Sequence, residues 1–179
     1  MKRKKLAVIS LIVVIVLLMA YAIAWLAGAF NKEADVQTQI YNFLIEEGFD
    51  PIQASAILAT AKQNSNMNCI AVSVPDGKCY GLFQWTNVRL ENLKQFANAN
   101  NKMVEDLDTQ LLFMMEELNS ESGFYIGEFQ YKGYEWDEFW EAQTPTEAAM
   151  TFNMVYSRPS INSNQVGEWA EEIYLQYNN

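Results

Sequence analysis

The stretch Tyr-Gly-Leu-Phe-Gln-Trp, residues 80–85, decides the fold, because it forms an aromatic, glycine-containing boundary between two groups of amphipathic helices. Residues 64–81 before it are rich in Asn, Ser and Gly, a composition typical of a loop, with a small hairpin expected around Asp76-Gly77. No sustained alternation of apolar and polar residues marks a long strand anywhere in the chain. The sequence therefore predicts a mainly α-helical fold with at most a small hairpin.

Two helices precede this loop. Apolar residues on one face predict the first, and Gly48 stands where its C-terminal turn is expected. Asp50-Pro51-Ile52-Gln53 predicts the start of the second helix, with an N-cap, a proline at the first helical position and a glutamine three residues after the cap. This second helix is expected to end near Asn64. The apolar faces of the two helices consist of Val36, Ile40, Phe43 and Leu44, and of Ala54, Ile57, Leu58 and Ala61.

Further helices are predicted after the loop. Thr144-Pro145-Thr146-Glu147 is a second capping box, and it leads into an apolar helix through Val155. The other apolar faces consist of Leu90, Leu93 and Ala97 for a third helix, Val104, Leu107, Leu111, Leu112, Met114, Met115 and Leu118 for a long fourth helix, and Trp169, Ala170, Ile173 and Tyr177 for a last one.

Residues 6–30 are 25 consecutive residues without a charge, which as a helix would span roughly 37 Å, against about 30 Å for the hydrocarbon core of a bilayer. This length favours an uncleaved transmembrane anchor, although Ala22-Ile23-Ala24 leaves open a cleaved signal peptide. Residues 1–5 carry four basic side chains and are expected to stay in the cytoplasm. The chain is thus predicted to be a single-pass protein of the cell membrane, with a linker at residues 31–36 and an extracytoplasmic domain at residues 37–179.

The charge of the outer part excludes one class of partner. Only 8 of the 12 basic residues but all 22 acidic residues lie beyond residue 30, so that part has a formal charge of −14. Such a surface repels nucleic acid and anionic lipid. A nucleic-acid partner is therefore not expected.

Cysteine and histidine usage limits the chemistry. The chain has no histidine, which removes every histidine-dependent catalytic triad or dyad. Cys69 and Cys79 are too few for a zinc site, so neither a metal nor another cofactor is expected. Outside the cytoplasm, a disulfide between Cys69 and Cys79 is the favoured interpretation, and two unpaired thiols are the alternative.

The order of these segments resembles the phage-tail-type lysozyme domain, a branch of the wider lysozyme and lytic-transglycosylase fold. The resemblance spans roughly residues 37–177 and implies a domain that faces peptidoglycan. It is carried by the capped second helix with its Asn-Ser break, residues 80–85, residues 110–118 (Gln-Leu-Leu-Phe-Met-Met-Glu-Glu-Leu), residues 144–156 followed by Arg158-Pro159, and residues 170–174.

Asn64 departs from the family. The resemblance implies a catalytic glutamate at the end of the second helix, which protonates the leaving glycosidic oxygen, and Lys62-Gln63-Asn64-Ser65-Asn66 places an asparagine there. An amide donates hydrogen bonds but does not transfer a proton near neutral pH, and loss of general acid catalysis costs about 10² to 10⁴ in rate. Ser157 likewise stands where the resemblance implies an acidic residue before Arg158-Pro159.

Four acidic residues are candidates to replace the missing acid. Asp76 lies in the loop, Glu46 and Glu47 lie at the end of the first helix, and Glu91 follows the aromatic segment. In a domain of charge −14 each is better explained as a solvated surface acid, and Asp76 beside Gly77 as part of a turn. None of them is predicted to be catalytic.

The resemblance also implies sugar-binding residues. Gln84 and Trp85, with Tyr80 and Phe83, match a motif that helps to build the glycan cleft, where aromatic faces stack on pyranose rings and amides bond to acetamido groups. Tyr156 is a weaker candidate for the same cleft. For the aromatic residues the alternative is a place in the hydrophobic core.

Three functions follow from these patterns. The favoured one is a membrane-anchored, catalytically silent domain that binds peptidoglycan glycan strands. The second is an active muramidase or lytic transglycosylase that opens the wall for a secretion, conjugation or phage-derived apparatus. The third is a protein-interaction adaptor that keeps only the scaffold, because fold alone does not assign function.

Overall fold

The structure is a computed structural model, and it describes residues 15–16, 18–19, 36–73, 77–127, 130–159 and 163–178. The chain divides into two compact units, Met1–Thr38 and Gln39–Asn179. Residues 15–16 and 18–19 are helical, and the rest of the predicted anchor at 6–30 lies outside the described residues, as do the basic tail at 1–5 and residues 31–35 of the linker. Within the described residues, no helix is long and apolar enough to cross a membrane.

The two helices predicted before the loop are present. Helix α1 covers residues 36–46, and Gly48 follows with a φ of +94°, the left-handed turn expected at a helix end. Helix α2 runs over Pro51–Ser65 and begins with the predicted capping box, in which the Asp50 carboxylate accepts from the backbone N–H of Gln53 and the Gln53 side chain accepts from the backbone N–H of Asp50. Asn66 ends the helix in the left-handed conformation.

The loop after α2 contains a small antiparallel sheet. Strand β1 (Cys79–Tyr80) pairs with β2 (Trp85–Thr86), and Val72 forms an isolated bridge with Tyr80. The hairpin predicted around Asp76-Gly77 is only partly described, because residues 74–76 lie outside the described part. Helices α3 (Asn87–Ala99) and α4 (Leu107–Leu118) follow, but α4 begins three residues after Val104, which was predicted on its apolar face and lies in the preceding turn.

The C-terminal part contains elements that the apolar pattern did not predict. A second hairpin, β3 (Gln130–Tyr131) with β4 (Tyr134–Glu135), precedes the short helix α5 (Trp136–Glu141). Helix α6 (Pro145–Phe152) starts at the predicted cap, where the Thr144 side chain accepts from the backbone N–H of Glu147. A π-helix, Asn153–Ser157, continues α6, and helix α7 (Asn164–Asn178) ends the domain.

Helix α2 is the centre of the described core. It packs on both α6 and α7, which also pack on each other, and its residues from Gln53 to Ala61 are all buried. Small alanine side chains on α2 allow the close approach of its neighbours. The end of α2, with Asn64, is therefore fixed against the end of α6 and the π-helix.

Candidate functional site

Asn64 and Ser157, the two residues that depart from the resembling family, contact each other. The Asn64 side chain donates from Nδ2 to Ser157 Oγ at 2.8 Å, across 93 residues of sequence. Asn64 lies in the last turn of α2, and Ser157 is the last residue of the π-helix. The structure thus brings together the two positions at which the resemblance implies acidic residues.

The turn after β1 is tied to the end of α2. Ser65 Oγ donates to the carbonyl oxygen of Leu82 at 2.8 Å and to that of Ala61 at 3.2 Å. The buried Gln110 of α4 fixes the same turn, because its Oε1 accepts from the backbone N–H of Leu82 and its Nε2 donates to the carbonyls of Cys69 and Val104. Residues 81–84 are therefore held next to Asn64 from two sides.

Gly81 is required in this turn for two reasons. Its φ is +77°, which side-chain-bearing residues rarely adopt, and a Cβ atom there would lie 2.7 Å from Gln110 Oε1. Only glycine therefore allows Gln110 to approach the turn this closely.

Gln84 and Tyr80, two of the predicted sugar-binding residues, are partly exposed. The Gln84 side chain donates from Nε2 to the carbonyls of Gly81 and Ala71, at 2.9 and 3.2 Å, and its φ is +54°. The amide nitrogen of Gln84 therefore stabilises the loop through these two hydrogen bonds. Tyr80 has a raised pKa, mainly because of desolvation, with smaller contributions from Glu105 and Cys69.

Phe83, Trp85 and Tyr156, the other three predicted sugar-binding residues, lie in the hydrophobic core. Their exposed fractions are 3%, 1% and 0%. Phe83 packs edge-to-face on both other rings, at centroid distances of 5.5 and 5.2 Å. None of the three offers a ring face to a sugar in this structure. All three are core residues, which was the alternative interpretation of the aromatic motif.

The polar atoms of Trp85 and Tyr156 are hydrogen-bonded inside the core. Both donate to Glu117 Oε2, from Trp85 Nε1 at 2.7 Å and from Tyr156 Oη at 2.6 Å. Glu117 has no exposed surface, and Arg89 donates to its two oxygens from Nε at 2.7 Å and from Nη2 at 2.8 Å. A buried carboxylate is tolerated because it is paired and fully hydrogen-bonded.

The pair formed by Arg89 and Glu117 also reaches the candidate site. Arg89 donates from Nη1 to the carbonyl of Tyr156 at 3.0 Å, and its guanidinium carbon lies 4.6 Å from the centre of the Tyr156 ring. Because Ser157 follows Tyr156, this contact fixes the backbone that carries Ser157. Burial, followed by the charge of Glu117, raises the pKa of Tyr156 well above its ordinary value and keeps the phenol protonated.

Neither Arg89 nor Glu117 was predicted as a site residue from the sequence. One signal was available, since Glu117 lies seven residues after Gln110 and three after Met114, on the inner face of α4. A carboxylate on such a face requires a cation and further donors. The sequence alone does not identify which arginine supplies them.

The four acidic candidates for the missing acid lie away from Asn64 or outside the described residues. Glu46 and Glu47 are exposed beyond the start of α2, whose 15 residues span about 22 Å from there to the Asn64 end. Glu91 is exposed and paired with Lys94 at 2.7 Å. Asp76 lies outside the described residues.

Cys69 and Cys79 are free thiols in the structure rather than the predicted disulfide. Cys79 lies in β1, and the Cys69 carbonyl accepts from Gln110 of α4. Burial is the main cause that raises the pKa of the Cys69 thiol to about 11. The thiol is therefore protonated, and poorly nucleophilic, near neutral pH.

The side chains of Asn64 and Ser157 limit the chemistry at the centre of the site. An amide and a hydroxyl donate and accept hydrogen bonds but do not exchange protons as general acids near pH 7. Two-carboxylate glycosidases separate their carboxyl groups by roughly 5 to 9.5 Å, which leaves room for the scissile bond or a water. At 2.8 Å, Asn64 Nδ2 and Ser157 Oγ leave no such room between them.

A family model described as phage tail lysozyme matches residues 35–177, which is most of the chain. Among curated proteins, no match to the chain is found.

Proposed function

Because the chain belongs to the phage tail lysozyme family, we propose that its domain binds the glycan strands of peptidoglycan and holds them without cutting them. The observation that carries this proposal is the hydrogen bond from Asn64 Nδ2 to Ser157 Oγ. It joins two neutral side chains at the place where the resemblance implies the proton donor. Family membership supports contact with peptidoglycan, and the neutral pair argues against proton transfer.

Binding is assigned to the polar groups around this pair. Four partly exposed side chains each have an amide or hydroxyl group that can hydrogen-bond to sugar hydroxyls and acetamido groups. They are Asn64, Ser157, Gln84 and Tyr80. The buried pair of Arg89 and Glu117 keeps Ser157 in place, and Gln110 keeps the turn at residues 81–84 in place. Such rigid support lowers the entropic cost of binding.

Location is the second part of the proposal. Residues 6–30 anchor the chain in the cell membrane, residues 1–5 stay in the cytoplasm, and the domain faces the wall. The support is the uncharged length of residues 6–30 and the basic residues before it. Anchoring raises the effective concentration of the domain at the inner face of the wall, so modest affinity is sufficient there.

Co-sedimentation of the full chain in detergent with purified peptidoglycan sacculi tests the binding. Wild type is expected in the pellet, and Asn64→Leu is expected to weaken binding at least fivefold, because it removes the amide while keeping the side-chain size. Asn98→Leu, the same change on the exposed side of α3, is the matched control and is expected to bind like wild type. Wild type that stays in the supernatant, or equal losses in both variants, would refute the proposal.

A further inference from the structure

A groove at the end of α2 opposite Asn64 is lined by aromatic and aliphatic side chains. It has a volume of about 230 Å³, and its walls include Phe49, Met115, Leu118, Trp136 and Trp140, with Glu47 and Asn119 among the polar lining residues. Drug-sized ligands occupy pockets of roughly 300 to 1,000 Å³. The groove is therefore matched to a single side chain or a similarly small group.

The two tryptophans form an aromatic corner. Their rings are nearly perpendicular, at 88°, with centroids 5.6 Å apart. Trp140 is stacked on the buried Phe49 at 5.8 Å and 7°, and Trp136 is stacked on Phe139 at 4.9 Å and 18°. Stacking fixes both rings, yet Trp140 remains 47% exposed, a large solvent contact for a rigid tryptophan.

The charge around this corner is negative. Glu47, which carries a negative charge, is exposed and is one of the residues that line the groove. The C-terminal ends of α1 and α4 also meet there, and such ends carry partial negative charge. The N-terminus of α2, also nearby, is capped by the Asp50 carboxylate, which offsets its positive end.

From this geometry we propose that the groove receives an arginine side chain from a basic partner protein. One face of each ring is stacked on a phenylalanine, so the guanidinium stacks on the exposed part of Trp140. Its N–H groups then reach the Glu47 carboxylate. The charge of −14 beyond residue 30 steers a basic partner toward the domain. The groove and the Asn64 site lie at opposite ends of α2, so this proposal does not depend on glycan binding.

Titration of the indole N–H signals in the NMR spectrum of the full chain in detergent tests this proposal. The probe is the capped pentapeptide Gly-Gly-Arg-Gly-Gly, compared with the same peptide containing citrulline, which keeps the shape but lacks the charge. Two indole signals, identified with Trp136→Phe and Trp140→Phe variants, are expected to shift saturably with the arginine peptide only. A disaccharide of N-acetylglucosamine is titrated in parallel.

The variants separate this site from general charge attraction. Glu47→Gln is expected to weaken arginine binding about fivefold or more, and Trp140→Ala to abolish saturable binding. Glu46→Gln makes the same charge change on the preceding exposed residue and is expected to stay within twofold of wild type. Three results would each overturn the proposal. They are equal shifts with the citrulline peptide, equal effects of the two glutamate variants, and stronger binding of the disaccharide.

Discussion

Glu117 shows how much one side chain can organise at the residue scale. Its carboxylate accepts from Trp85, Tyr156 and Arg89 in the interior, and through Arg89 it fixes the carbonyl that precedes Ser157. Breaking such a buried pair is costly, because the remaining charge has no partner, whereas replacing the whole pair with neutral groups often costs little.

Arg89→Met is expected to lower the free energy of unfolding by about 3 kcal/mol, because Glu117 stays buried without its cation. The double variant Arg89→Met/Glu117→Gln is expected to regain part of that loss, since a neutral amide oxygen still accepts from Trp85 and Tyr156. Urea denaturation followed by tryptophan fluorescence measures both. If the double variant were less stable than the single one, the unpaired charge of Glu117 would not be the cause of the lost stability.

Cys69 provides a second test at the same scale. Its pKa of about 11 lies above the ordinary value of 9.0, so folding favours the protonated thiol, and that contribution to stability is lost as pH rises from 9.0 through about 11. At pH 8 the folded thiolate fraction is expected to be roughly 100-fold below that of the unfolded chain.

Ellman's reagent at pH 8 measures this difference in a Cys79→Ser variant, in which only Cys69 reacts. The reaction is expected to be about two orders of magnitude slower in buffer than in 8 M urea, a ratio that follows from the thiolate fractions. Rates within threefold of each other would show that Cys69 is not protected by burial.

At the scale of elements, the turn at residues 81–84 joins the end of α2 to α4. Gly81→Ala is expected to destabilise the protein by about 2 kcal/mol, because it combines a positive φ with a clash against Gln110. Gly133→Ala has a similar φ of +86° but open space around its Cβ, so it is expected to cost about 1 kcal/mol or less. Thermal unfolding compares the two, and equal losses would mean that the contact with Gln110 adds nothing.

The features that could be predicted from the sequence depend on residues close together in the chain. Asp50 and Thr144 form the predicted helix caps, and Gly48 ends α1, because capping depends on residues within four positions of each other. Helix α5 and the β3–β4 hairpin were missed, since elements of six and two residues are too short to show a period.

Contacts distant in sequence were less predictable. The contact between Asn64 and Ser157 depends on how α2 packs on α6, which no local pattern encodes. Trp85 and Tyr156 could equally have been placed in a cleft or in the core, because an aromatic residue with a polar atom suits both until its partner is known. That partner, Glu117, is 32 residues from Trp85 and 39 from Tyr156.

At the scale of the whole molecule, the proposed anchor favours the membrane, whereas the acidic domain favours water. The full chain is expected to stay with the membrane pellet after a carbonate wash at pH 11, because an anchor formed by the 25 uncharged residues 6–30 would resist extraction. A variant starting at residue 31 is expected in the soluble fraction, given its charge of −14. Release of the full chain by carbonate would contradict the anchor.

We propose that the domain holds glycan strands and lacks the acid needed to cut them. The most direct measurement is a muropeptide analysis of purified sacculi after prolonged incubation with wild type, with Asn64→Glu and, as a neutral control of similar size, with Asn64→Gln. Wild type and Asn64→Gln are expected to release no glycan fragments, while Asn64→Glu releases them because it restores a proton donor. Fragments released by wild type would contradict the central claim.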